Sequence, residues 1–133
     1  MHSAIGLDEA SQLKLEKLAE DVRVAGVRLP ILVRDNGWKM YNNHMTISVG
    51  ELPNYLNQYI GTKQKLEATH IGISPMAVAV RVIGFESKNR IPHVVMAVNV
   101  YAGGNLDMAN KITSWNPLVN PIKLTGVVQE IFP

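Results

Sequence analysis

Residues 44–50 alternate strictly, with Met45, Ile47 and Val49 on one side and His44, Thr46 and Ser48 on the other. That period of two predicts a half-buried strand. Upstream, His2–Leu7 reads as a short strand running into a helix. Asp8 serves as its N-cap, and Leu15, Leu18, Ala19 and Val22 follow the three-and-four spacing of one buried stripe. Lys17 and Asp21 form an i, i+4 pair on the wet side, and Gly26 is expected to stop the helix. Leu29–Val33 is a short apolar run, closed by the turn signal Asp35-Asn36-Gly37, after which Trp38–Tyr41 leads into the strand at His44. Pro53 suits the first turn of a short helix that Gly61 ends. Two further apolar strands, Leu66–Ile73 and Met76–Phe85, are separated by Ser74-Pro75. In the second, Val78, Val80 and Val82 oppose Ala77, Ala79 and Arg81, which predicts burial on both faces. The polar loop Glu86–Pro92 leads to a strand over His93–Val100. Asn105 caps a short helix over Leu106–Ile112, and beyond Pro117 and Pro121 the chain closes with a strand over Ile122–Phe132.

Strands and short helices alternate, but many connections are too short for parallel crossovers. The expected fold class is α+β with a largely antiparallel sheet. The block from His44 to Ile73 also resembles the block from His93 to Ile131 in its order of parts. Each starts with a strand headed by histidine, passes through a glycine and a short helix, and ends in a strand. Leu66-Glu67-Ala68-Thr69 lines up with Ile122-Lys123-Leu124-Thr125. This predicts one domain of two lobes, roughly 44–73 and 93–131, related by a pseudo-twofold axis across a central groove with the helices outside.

Composition narrows the chemistry. At 133 residues, 47% hydrophobic and 18% charged, the chain has the content of one globular domain. It lacks cysteine, which excludes disulfides, thiol nucleophiles and thiolate metal sites, and its four histidines do not cluster as a metal set. No metal and no cofactor is expected. A net charge of +2 tolerates an anionic ligand without demanding duplex DNA. No apolar run is long enough to span a membrane, and Met1–Asp8 lacks the pattern of a secretory signal, so the cytoplasm is the expected location.

In His-x-Thr on a strand, the imidazole and the hydroxyl project from one face. Two such strands side by side would aim two imidazoles at one phosphate. Cleaving a phosphodiester needs a base for the nucleophile and an acid for the leaving oxygen, and two imidazoles can divide those roles without a metal. Hydroxyls would hold the nonbridging oxygens as charge builds. His44-Met45-Thr46 fits, with Ser48 further along that face. His93-Val94-Val95 fits in part, with Val95 where a hydroxyl is wanted and Asn99 beyond it. His44, His93 and Thr46 are therefore the candidate catalytic residues, and Ser48, Val95 and Asn99 candidate substrate contacts.

The segments Ser3–Leu7, Asn43–Ile47, Thr69–Ser74, Ile91–Val98, Asn110–Trp115 and Leu124–Gly126 together resemble the 2H phosphoesterase superfamily. That superfamily includes LigT-like RNA 2′,3′-cyclic phosphodiesterases, the phosphodiesterase domain of tRNA ligases and small phage proteins. Some phage members cleave the cyclic oligonucleotide signals of the anti-phage system called CBASS. The resemblance spans nearly the whole chain, Val22–Gly37 least. It implies a bilobal fold, a metal-independent hydrolase acting on a nucleotide phosphodiester, and roles for His44, Thr46 and His93. Val95 departs from its second His-x-Thr. A phage origin would set the activity in the host cytoplasm.

Other residues have plainer readings beside their functional ones. Tyr41 and Tyr101 lie near the histidine strands and could stack a base, as could Trp38 and Trp115, for which packing is the simpler account. Lys88 and Arg90 could draw in an anion or be merely solvated. His70 reads as a hydrogen-bonded histidine near the core, His2 has no assigned role, and Gly103-Gly104 lacks the remainder of a phosphate loop. The leading expectation is cleavage of a cyclic nucleotide or oligonucleotide. Processing of RNA 2′,3′-cyclic phosphate ends, or sequestration of a nucleotide without cleavage, stand beside it. Which histidine is acid and which base stays open.

Overall fold

The computed structural model describes residues 2–131. Among the described residues there are nine strands: β1 (His2–Leu7), β2 (Arg23–Val24), β3 (Val27–Arg28), β4 (Lys39–Met40), β5 (His44–Ser48), β6 (Lys63–Ile73), β7 (Ala77–Ile83), β8 (His93–Val98) and β9 (Trp115–Ile131). Two α-helices, α1 (Glu9–Ala19) and α2 (Leu29–Asp35), and two 3-10 helices, Asn54–Tyr59 and Leu106–Lys111, complete the described elements.

Six strands close into an antiparallel barrel. β8, β5, β1, β9, β6 and β7 follow one another by hydrogen bonding, and β7 pairs again with β8. This overturns the two-lobed α+β expectation, because the two repeat blocks contribute neighbouring strands to one wall. Leu66 pairs with Leu124, Glu67 with Lys123 and Ala68 with Ile122, so the segments that resemble one another lie side by side. β9 joins the blocks by pairing with β6 over much of its length and with β1 over 126–131. Two separate sheets would have left strand edges uncovered, and closure removes them.

The interior follows from alternation along the strands. Ile5, Met45, Ile47, Leu66, Val78, Val80, Val82, Val94, Met96, Leu124 and Val128 form one continuous buried cluster. α1 presses Leu15 and Ala19 into that same cluster, and α2 adds Leu29, so these helices are part of the core and not outer decoration. Asp8 caps α1 by accepting from the Ser11 N–H at 2.8 Å. The helix ends at Ala19, short of Gly26, because Ala25 and Gly26 take positive φ as the two-residue turn between β2 and β3. α2 forms with Pro30 in its first turn, where a missing N–H costs nothing.

β9 reaches back to Trp115, well before the expected start at Ile122. Pro117 pairs opposite His70 and Ile122 opposite Ala68, so Leu118–Pro121 bulge out of the ladder opposite Thr69. Proline cannot donate to a ladder, and the bulge accommodates the strand's second one. A smaller cluster lies on the outside of the wall: Ala77 and Ala79 of β7 carry Ala109 and Ile112, with Val95, Met108 and Trp115 packed around them. The two alanines let the 3-10 helix Leu106–Lys111 lie close against β7 and β8. Phe132, the expected end of the last strand, lies outside the described residues. Among those residues, no helix is long and apolar enough to cross a membrane.

Candidate active site

The outward faces of three adjacent strands build the site. Because Met45 and Ile47 of β5 point into the barrel, His44, Thr46 and Ser48 point out; the same rule turns His93 and Val95 of β8 outward, and His2 of β1. β5 and β8 are antiparallel around the pair Met45–Val94. That pair brings His44 and Thr46 alongside His93 and Val95, and all four line one groove.

One groove collects these side chains. His2, His44, Thr46, His93 and Val95 line it from the barrel wall, Asn89 from the loop before β8, and Leu106, Asp107 and Asn110 from the 3-10 helix on the far bank. The His2 and His44 rings lie 5.8 Å apart between centroids. Val95 faces the groove and also packs in the outer alanine cluster.

Backbone geometry holds both catalytic candidates. β5 and β8 share a single ladder pair, and the loop 86–92 takes over where they part. Ser87 Oγ donates to the Thr46 carbonyl at 2.7 Å and the Lys88 N–H to the Ile47 carbonyl at 2.7 Å. That anchoring carries Asn89 to the groove. On the other side, buried Asn42 adopts a left-handed conformation (φ 57°), and its N–H donates to the Val95 carbonyl at 3.0 Å. Asn is among the few residues that adopt this conformation readily. The turn it makes delivers Asn43 beside His44.

Each ring is fixed through Nδ1. His93 Nδ1 donates to the Ile91 carbonyl at 2.7 Å, which can only accept. His44 Nδ1 lies 2.7 Å from Asn43 Oδ1, and with that oxygen as acceptor it too carries the proton. Nε2 of each neutral ring is then an unprotonated base. Burial holds His44 below the ordinary histidine value of 6.5, and the His2 and His93 rings add to the effect. Burial also lowers His93, against the opposing pull of its bond to Ile91. Exchanging Asn43 for a carboxylate should reverse the first shift. Asn43→Asp is expected to raise the His44 pKa by on the order of one unit, read by NMR titration of its ring protons. An unchanged or lowered value would show that Asn43 does not orient this ring.

The remaining sequence candidates lie elsewhere. Ser48 shares the outer face of β5 but is not among the groove's lining residues. Asn99 is committed to a turn, accepting from the Ala102 N–H and donating to the Pro75 carbonyl. Tyr101 is 87% exposed against Gly37, and Tyr41 sits under the Lys39 ammonium at 5.1 Å. Trp38 is buried in the barrel cluster. His70 Nδ1 pairs with Thr69 Oγ1 at 2.8 Å, half-buried, as a hydrogen-bonded histidine should. Among the described residues, no three His, Asp or Glu side chains group as metal ligands.

His2, Asn89 and Asp107 belong to the groove and carry no motif in the sequence, and Asn110 belongs to it too, from a segment that carried the resemblance but without a role assigned to it. His2 alone left a trace: it heads a strand whose outward positions, Ala4 and Gly6, are small. No protein-family model matches the chain, and comparison with curated proteins gives no match.

Proposed function

We propose that this chain is a metal-independent phosphodiesterase acting on an RNA-type linkage in a cyclic nucleotide or cyclic oligonucleotide. The observation that supports it is the meeting of His44, Thr46 and His93 in one groove, with both Nδ1 atoms engaged. One imidazole takes the proton of the attacking hydroxyl or water as its oxygen bonds to phosphorus. The other, protonated, gives its proton to the leaving oxygen as the old P–O bond breaks. Thr46 donates to a nonbridging oxygen as charge gathers there. The resemblance to 2H phosphoesterases supports this chemistry through these side chains alone, since that family's two-lobed architecture is not the one found. On this reading the substrate is a cytoplasmic one, and for a phage protein it would be a defence signal of the host.

The reaction needs one neutral and one protonated ring. With both rings held below 6.5, the singly protonated pair is most abundant on the acid side of that value. A panel of cyclic di- and trinucleotides and 2′,3′-cyclic mononucleotides, offered with chelator, should be cleaved, with kcat/KM forming a bell whose maximum lies below pH 6.5. Loss of cleavage on chelation, or tight binding without product, would overturn the proposal. The second outcome would mark a sequestering module, a reading that Val95 in the groove favours.

A further inference from the structure

Beyond His93 the groove opens into a second cavity of about 550 Å3, within the range of small-ligand sites. Asn89, His93 and Asn110 line both spaces, so the two are continuous. Their chemistry differs. The first, about 240 Å3, is the smaller of the two, and Asp107 lines it. Lys88, Arg90 and Lys111 border the second, and none of its lining residues is acidic. Among the described residues, none of these three cations has a carboxylate within 4.0 Å. Solvated surface cations are ordinarily interspersed with acids; here three from two separate segments converge on one concavity beside a phosphodiester site.

Trp115 supplies a wall. Its indole packs over Gly72, where a Cβ would approach the ring to 2.6 Å, and its Nε1–H donates to the Ile112 carbonyl at 3.2 Å. Trp115 lines the cavity with its one donor already engaged, so what it can offer a ligand there is aromatic contact, which is sequence-tolerant.

We propose that this cavity binds the nucleotide adjoining the scissile linkage, its phosphate on Lys88, Arg90 and Lys111 and its base against Trp115. The substrate then carries at least two phosphates, which distinguishes a cyclic or linear oligonucleotide from a 2′,3′-cyclic mononucleotide. This inference rests on the two-histidine reading for which phosphate is cleaved, but its test does not depend on turnover.

The test compares a dinucleoside monophosphate with a trinucleoside diphosphate of the same bases. Binding is measured by calorimetry at several salt concentrations, and cleavage is measured separately. In the full-length Lys88→Ala/Arg90→Ala/Lys111→Ala variant, trinucleotide affinity should fall by roughly tenfold, with a flatter salt dependence. Affinity for the dinucleoside monophosphate should change less than about twofold. Trp115→Phe, which keeps an aromatic ring over Gly72, should weaken only the trinucleotide. Equal losses for both ligands, no loss for either, or no trinucleotide binding by the unaltered protein would overturn the second subsite. Selective loss of trinucleotide binding without cleavage of any ligand would uphold the subsite and refute the two-histidine reading. Cleavage with no selectivity would do the reverse.

Discussion

On the proposed function, His44→Ala and His93→Ala are each expected to lower kcat/KM on a cyclic dinucleotide by about 10²–10⁴. The double variant should lose little more than either alone, because base and acid would act within one transition state. The geometry gives this expectation its content. Neither ring can change partner freely, since Nδ1 of His93 is tied to the Ile91 carbonyl and Nδ1 of His44 to Asn43. Each Nε2 is thereby left for the reaction, and no other imidazole lines the groove except His2. His93 is only 5% exposed, and truncating it leaves the Ile91 carbonyl without its donor. His93→Gln, which fills more of that space, separates lost chemistry from lost folding. Initial rates with chelator present, beside thermal melts of each variant, decide the matter. A variant that melts normally and keeps its rate would remove that histidine from the mechanism.

The largest effect on stability is expected at a position with no side chain. Gly126 of β9 lies between Leu124 and Val128 on the inner face, where β9 meets β1. A Cβ there would stand 2.5 Å from the Gly6 carbonyl oxygen and 2.6 Å from Ile5 Cγ2. The first of these is backbone held in the β1 ladder, so it cannot step aside as a side chain would. Gly126→Val should cost on the order of 3 kcal/mol in urea unfolding, at the upper end of overpacking losses. Gly72→Ala meets only the Trp115 ring and the Ile112 side chain, which can yield, and should cost less. A Gly126→Val variant within about 1 kcal/mol of the parent would show that β1 and β9 can separate locally without cost.

What the sequence disclosed follows the range of the interactions. The period of two at Met45 and Ile47 disclosed β5 and the outward turn of His44 and Thr46, because alternation is local, but Val49, expected on the buried side, lies past the strand's end, 88% exposed and lining the groove. The cap at Asp8 was equally plain. The end of α1 was not, since Gly26 reads alike as a helix stop and as a hairpin turn, and Val24 and Val27 decide for the hairpin. α2 was hidden because Leu29–Val33 is apolar without a visible period. Pro117 and Pro121 concealed the first part of β9, whose bulge only its partner β6 makes intelligible. Each block does run strand, 3-10 helix, strand, but order along the chain does not say which strands become neighbours. Closure depends on β7 pairing with β8 and β9 with β1, the latter across more than a hundred residues. The same holds for the groove: His44, Thr46 and His93 announce themselves by motif, whereas Asn89, Asp107 and Asn110 arrive through a loop anchored on β5 and a helix seated on alanines.

The single ladder pair between β5 and β8 has a mechanical meaning. β1 and β9 are laced by six residue pairs, while the seam beneath the two histidines is held by Met45–Val94, the loop and the Asn42 bond. Ladder bonding in the wall is thus sparsest where the imidazoles stand, and on the proposed function a bound ligand would meet the least resistance to a shift of either ring there.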